Sequence, residues 1–186
     1  MISLKHFFNP YIKLRKSGIH SRGIFAKKDI KKGKYIIEYL GDKISKEEAE
    51  IIGDESFKKS EKDKNKGAVY LFNLNKKEDL DGDRWYNLAK YVNHSCDENC
   101  EAIEDKGKVW IAAMKNIKKG EELSFDYHTS EYDLIEQGCS FECHCGSKNC
   151  IGKIKGFRFL NEEKKKEVLE FASPYIKKKY QEELNS

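Results

Sequence analysis

The chain has 186 residues, with 36 Lys plus Arg against 32 Asp plus Glu and a net charge of +4. That length suits one compact domain with a short appendage, and so small a balance of mixed charges is not the footprint of a dedicated, sequence-specific nucleic-acid binder. Hydrophobic residues at 38% and aromatics at 12% exclude a chain disordered throughout.

Residues 1–17 read as an N-terminal extension. Its apolar run is too short for a signal peptide and is interrupted by Pro10, and no stretch of the chain reaches the length of a membrane-spanning helix. These features predict a soluble, intracellular protein of the nucleus or cytoplasm without a membrane partner; a signal-independent export route would leave no such trace. Gly18 to Ala26 predicts strand, tight turn and strand, and Tyr35 to Tyr39 a further strand ending at Gly41. Ser45, with Glu48 three residues on, forms a capping box for a short helix to Ile52. Residues 53–67 are charged and almost free of apolar side chains, which predicts a mobile insert. Strands are expected again at Ala68 to Leu74, Lys108 to Ala113 and Glu122 to Tyr127. One echo stands out: AKKDIKKGKYI from Ala26 aligns without a gap on AMKNIKKGEEL from Ala113. Many short strands, few helices and frequent Gly turns predict a mostly β fold. After Gly152, Asn161 can cap a helix to about Ala172, and Ser173-Pro174 starts another. Six Lys and six Glu cancel between residues 161 and 186, which read as a solvated helix pair packed by one face.

Three segments carry chemistry. Cys143-His144-Cys145-Gly146-Ser147-Lys148-Asn149-Cys150 places three thiols around one point, with Gly146 permitting the turn. All six Cys lie from Cys96 onward, and clustered thiols in a reducing compartment point to metal before disulfides. Zinc takes four tetrahedral ligands, so a fourth comes from Cys96, Cys100, Cys139 or His144. The segment Asn93-His94-Ser95-Cys96 is dense in polar groups, and Glu121 to Tyr127 ends an amphipathic strand on a tyrosine. Alone, each of the last two reads as an ordinary turn and an ordinary core aromatic.

Taken in order, however, GIHSRGIFA, Tyr70-Leu71-Phe72, Asn93-His94-Ser95-Cys96, Glu121 to Tyr127 and Cys143 to Gly152 resemble the motifs of the SET-domain protein methyltransferases and their post-SET zinc motif. The resemblance runs over residues 18–152. It implies a SET-domain β-fold, β-clip-like and with a pseudoknot, over 18–130 with a variable insert at about 42–67. A post-SET zinc loop would follow over 139–155 and C-terminal helices over 156–186. It implies transfer of a methyl group from S-adenosylmethionine to a protein lysine, a histone-like tail being the first candidate partner. Ser21, Arg22, Gly23, Asn93 and His94 would hold the cofactor. Tyr127 would sit where methyl donor and amine meet, with Tyr70 and Phe125 lining the lysine channel. Cys96 would complete a Zn2+ site with Cys143, Cys145 and Cys150. Phe125 stands at the position resembling the family's product-size switch, which implies room for di- or trimethyl-lysine. Ser21 replaces the family's first Gly, Lys90-Tyr91 its Arg-Phe, and Glu98 a common Pro. The competing reading is a SET-like module that binds protein without catalysis.

Overall fold

The computed structural model describes residues 9–62, 70–75, 77–135 and 141–185. These divide into two compact units. The first takes segments 1–40, 84–126 and 143–152; the second takes 41–83, 127–142 and 153–186.

The first unit is built from short β elements. β1 (Ile12–Lys16) pairs antiparallel with β2 (Arg22–Ala26), so part of the segment ahead of Gly18 is itself strand. β3 (Tyr35–Tyr39) lies beside β9 (Lys108–Ala113), which also pairs β8 (Cys100–Asp105). Two dipeptides, β7 (Asn93–His94) and β10 (Ser124–Phe125), run parallel. Ile24, Val109, Ile111, Ile117 and Leu123 are fully buried and form the core.

The echoed segments pair with each other. Ile30 and Ile117 form an antiparallel bridge at the centre. On either side, Gly33 N–H donates to Ala113 C=O (2.7 Å) and Gly120 N–H to Ala26 C=O (2.9 Å). The side chains repeat the relation: Asn116 Oδ1 accepts from Lys32 N–H (3.0 Å), and Asp29 Oδ1 from Lys119 N–H (2.9 Å). Gly33 and Gly120 both have left-handed φ, 79° and 94°, which only glycine adopts without cost. The repeat is therefore a two-fold-like lock between the two halves of this unit.

The second unit holds a sheet in the order β4 (Asp42–Ser45), β6 (Glu78–Asp81), β5 (Leu71–Asn73). α1 (Lys46–Lys62) follows β4. Its capping box is reciprocal: Ser45 Oγ accepts from Glu48 N–H (3.2 Å) and Glu48 Oε2 from Ser45 N–H (2.8 Å). The helix does not stop near Ile52, as expected, but runs to Lys62. Lys and Glu are good helix formers without any apolar stripe, and Glu55–Lys59 adds an i,i+4 pair at 3.6 Å. Residues 63–67 of the expected insert lie outside the described residues.

Two further helices, α2 (Glu162–Phe171) and α3 (Pro174–Leu184), begin where the sequence places them. Asn161 Oδ1 caps Lys164 N–H (2.8 Å) and Ser173 Oγ caps Ile176 N–H (3.3 Å). They bury Phe157, Val168, Ala172 and Ile176 together. They also hold the chain that follows Tyr127: Ser173 N–H donates to Thr129 C=O (2.8 Å) and Phe157 N–H to Glu131 C=O (2.8 Å). The remaining pair, β11 (Phe141–Glu142) with β12 (Lys153–Ile154), brackets the cysteine-rich loop in sequence. No helix among the described residues is long and apolar enough to cross a membrane.

Candidate functional site

The turn between β1 and β2, residues 17–21, is gripped from inside the first unit. Asn93 is buried, and its Nδ2 donates to Arg22 C=O (3.0 Å) and Glu122 Oε1 (2.8 Å). Ser17 Oγ donates to the same carboxylate at 2.7 Å and itself accepts from Ile19 N–H at 2.8 Å. A Cβ on Gly23 would collide with the Glu122 carboxylate, so any other residue there must displace that carboxylate from its bonds to Asn93 and Ser17. Ser21 has φ 43°, a left-handed conformation that a serine holds only at a cost. His20, Ser21 and Arg22 are left exposed on the outer side of the turn.

The parallel β7–β10 pair sets Asn93 opposite Ser124 and His94 opposite Phe125. The buried His94 ring points two ways. Its Nδ1 faces Asp126 Oδ1 at 3.5 Å, and its Nε2 lies 3.3 Å from Cys96 Sγ. Phe125 is buried.

Cys96, Cys143, Cys145 and Cys150 bring their sulfurs within 4.8 Å of one another. Cys96 and Cys143 are 3.8 Å apart. Four thiolates at zinc–sulfur distance on a tetrahedron stand about 3.8 Å apart, so donor set and spacing both fit zinc. Gly146 and Gly152, with φ 71° and 75°, turn the loop around the cluster. Burial raises the Cys143 thiol to about 12 and raises Cys96 as well. For Cys145, burial is outweighed by the backbone N–H groups of Cys96 and Ser147, and the thiol falls to about 7. Of the other candidates for fourth ligand, Cys100 is fully buried, donates to Asn99 Oδ1 (3.3 Å), and is pushed up to about 12 by burial; it is a core thiol. His144 is exposed. Cys139 lies outside the described residues.

Residues 21–128 match the family model of the SET domain. The chain belongs to the SET domain family. It is similar to the histone-lysine N-methyltransferase trr of Drosophila melanogaster, 36% identical over 151 residues, which is 79% of this chain and 6% of that protein. The human histone-lysine N-methyltransferase 2D is 34% identical over 144 residues, 74% of this chain and 2% of its own. The human histone-lysine N-methyltransferase SETD1B is 33% identical over 152 residues, 80% and 7%. The chain thus spans only a small fraction of the length of these relatives.

Ser21, Arg22, Gly23, Asn93, His94, Phe125 and the four cysteines fall in the first unit, and Tyr70 and Tyr127 in the second. Tyr127 is not the end of a strand as the sequence reading expected. It opens a 3-10 turn, Tyr127–Thr129, and its C=O accepts from Ser130 N–H (3.0 Å) and Glu131 N–H (2.8 Å). Tyr70 precedes β5, its C=O accepting from Gly82 N–H (2.8 Å). Sequence reasoning passed over Ser17 and Glu122. Ser17 shows no sequence signal, whereas Glu122 sits within a motif already singled out. Also passed over was the trio of a buried Asp79 with the half-buried Lys46 and Glu131 in the second unit. Lys46 Nζ pairs with Asp79 at 2.5 Å and lies 5.5 Å from the Tyr175 ring centre. Burial, and then the Asp79 charge, push the Glu131 carboxyl up to about 7, against the pull of Lys46.

Proposed function

We propose that this SET domain is a protein-lysine N-methyltransferase using S-adenosylmethionine, with an exposed lysine on a histone-like tail as substrate. The observation that carries the reading is the grip of Asn93 and Glu122 on the turn at 17–23, within a chain whose relatives are named as histone-lysine methyltransferases. A module that only binds protein has no need of a turn pinned in one shape, with Ser21 C=O accepting from Ser17 N–H (3.2 Å) and Arg22 C=O from Asn93 (3.0 Å). The turn suits the group: Ser21 and Arg22 are exposed, with the buried Gly23 behind them. When bound, S-adenosylmethionine supplies an electrophilic methyl on a sulfonium.

The chain's own residues do the rest. Ser21, Arg22, Gly23, Asn93 and His94 orient the cofactor. The Tyr127 hydroxyl orients the lysine amine. Tyr70 and Phe125 supply aromatic surface that desolvates the amine, favouring its neutral, nucleophilic form. No strong general base is required, because much of the rate comes from holding the reacting atoms in line. Cys96, Cys143, Cys145 and Cys150 hold a structural zinc. Phe125 leaves room for di- or trimethylation, and mass spectrometry at saturating cofactor that found only monomethyl-lysine would overturn that part. We assign 18–130 to the SET domain, 139–155 to the post-SET motif, and nuclear chromatin as the place of action.

The test is transfer from labelled S-adenosylmethionine to a panel of histones, comparing wild type with Tyr127→Phe. Lysine label that falls sharply in the variant supports the reading. Neither label nor cofactor binding by calorimetry would transfer the assignment to a non-catalytic binding module.

A further inference from the structure

His94 belongs to a signature whose resemblance assigns it to the cofactor, yet its side chain is directed elsewhere. The ring is buried, with 3% of its surface exposed, and its two nitrogens meet two protein groups. Nε2 lies 3.3 Å from the sulfur of Cys96, and Nδ1 lies 3.5 Å from Asp126 Oδ1. The backbone of the same residue is locked into the β7–β10 pair opposite Phe125. Its chain neighbour Asn93 grips the 17–23 turn.

We infer that the His94 side chain is an outer-shell residue of the metal cluster, its ring carrying a proton on each nitrogen so that Nε2–H donates to the Cys96 thiolate and Nδ1–H faces the Asp126 carboxylate as its support, and so ties zinc occupancy to the strand that holds the cofactor turn. The inference rests on the zinc reading of the four thiols. Its chemistry is general. A metal-bound thiolate carries charge that a nearby N–H stabilises, and groups that orient a ligand from behind alter metal affinity by roughly 10- to 100-fold. Cys96 needs such help more than the other three thiols. It alone comes from outside the Cys143–Cys150 loop, so its sulfur must be aimed at the cluster by its own segment. Asp126 adjoins β10 in sequence, so ring, support and strand pair form one connected piece. Loss of zinc would release the Cys96 end of that piece and loosen Asn93 beside it.

The test separates the two ring positions. A Gln amide nitrogen reaches the place of Nε2, whereas an Asn amide nitrogen reaches only that of Nδ1. Zinc affinity of the full chain is measured by competition with a chromophoric chelator for wild type, His94→Gln, His94→Asn and Asp126→Asn. S-adenosylmethionine binding is measured by calorimetry with and without excess zinc. Expected are a 10- to 100-fold loss of zinc affinity in His94→Asn, near-wild-type affinity in His94→Gln, and an intermediate loss in Asp126→Asn. Excess zinc should recover part of the cofactor affinity of His94→Asn. Equal zinc affinity in all four proteins would overturn the role of His94 while leaving the cluster intact. A wild-type chain that binds no zinc would overturn the cluster and this inference together.

Discussion

The carboxamide of Asn93 and the carboxylate of Glu122 meet at 2.8 Å, and between them they hold the turn that precedes β2. Ser17 Oγ shares that carboxylate. Glu122 thus acts as the floor of the turn, and its removal takes a charged acceptor from both Asn93 and Ser17, while Asn93 Nδ2 keeps the Arg22 C=O (3.0 Å) and Ser17 Oγ (3.2 Å). Loss of a hydrogen bond to a charged group costs about 1.5–3 kcal/mol. Glu122→Ala should lower stability by about that amount and weaken S-adenosylmethionine binding roughly tenfold, since 1.4 kcal/mol is one decade. Thermal melts and calorimetry check both. Unchanged cofactor affinity would mean that the turn is not the cofactor's support.

Positions 21 and 23 of the turn should respond in opposite ways. Ser21 stands at φ 43°, where glycine rests without strain, so Ser21→Gly should leave the melting temperature unchanged or raise it slightly. The left-handed cost removed, about 1 kcal/mol, roughly offsets the extra chain entropy of glycine in the unfolded state. Gly23→Ala drives a methyl into the Glu122 carboxylate and should destabilise by about 1–3 kcal/mol. If alanine at 23 were tolerated and glycine at 21 harmful, the turn geometry would be wrong.

For the metal, Cys145→Ser should abolish stoichiometric zinc and disorder the loop from Cys143 to Cys150 while the β3–β9–β8 sheet stays folded. The sheet buries Val109, Ile111 and Ala112 without help from the cluster. Elemental analysis and circular dichroism read the two parts separately. Collapse of the β signal together with zinc would show that the metal supports the whole unit.

Much of this was legible because it is local. Ser45 with Glu48, Asn161 and Ser173-Pro174 are short-range caps, and each starts a helix where sequence chemistry demands it. The strands Tyr35–Tyr39 and Lys108–Ala113 follow from apolar runs bounded by turns. The four cysteines are separated by 47 residues between Cys96 and Cys143, yet ligand chemistry and family resemblance together single them out. What the sequence hid depends on partners far along the chain or on charge alone. Ser17 meets Glu122 across 105 residues, and no local pattern marks it. α1 carries no apolar stripe beyond Ile52, so a charged helix read as an insert. The Tyr127 turn was hidden because its carbonyl is claimed by Ser130 and Glu131 N–H groups, a choice that a strand-like run ELSFDY does not announce.

Glu131 gives a pH dependence whose sign can be worked out. Burial and the Asp79 charge raise its carboxyl from 4.5 to about 7. Below pH 4.5 the group is protonated in folded and unfolded chains alike and contributes nothing. Between 4.5 and 7 the unfolded chain loses the proton while the folded chain keeps it, so stability falls as pH rises through that window. Above 7 the penalty is constant. The full shift corresponds to roughly 3 kcal/mol. Because the side chain is only half-buried, solvent screening reduces this to about 1–2 kcal/mol. Glu131→Gln removes the ionisation and keeps the shape. It should therefore raise stability by about 1–2 kcal/mol at pH 8 and leave it nearly unchanged at pH 5. In a chain of this size that is a gain of about 2–8 °C in melting temperature at the higher pH only. Since the Glu131 N–H holds the Tyr127 carbonyl at 2.8 Å, the same variant should also flatten the alkaline fall in the stability of the Tyr127 turn, read by hydrogen exchange at Ser130 and Glu131. A variant equally stabilised at both pH values would show that packing, not the carboxyl proton, is what Glu131 contributes.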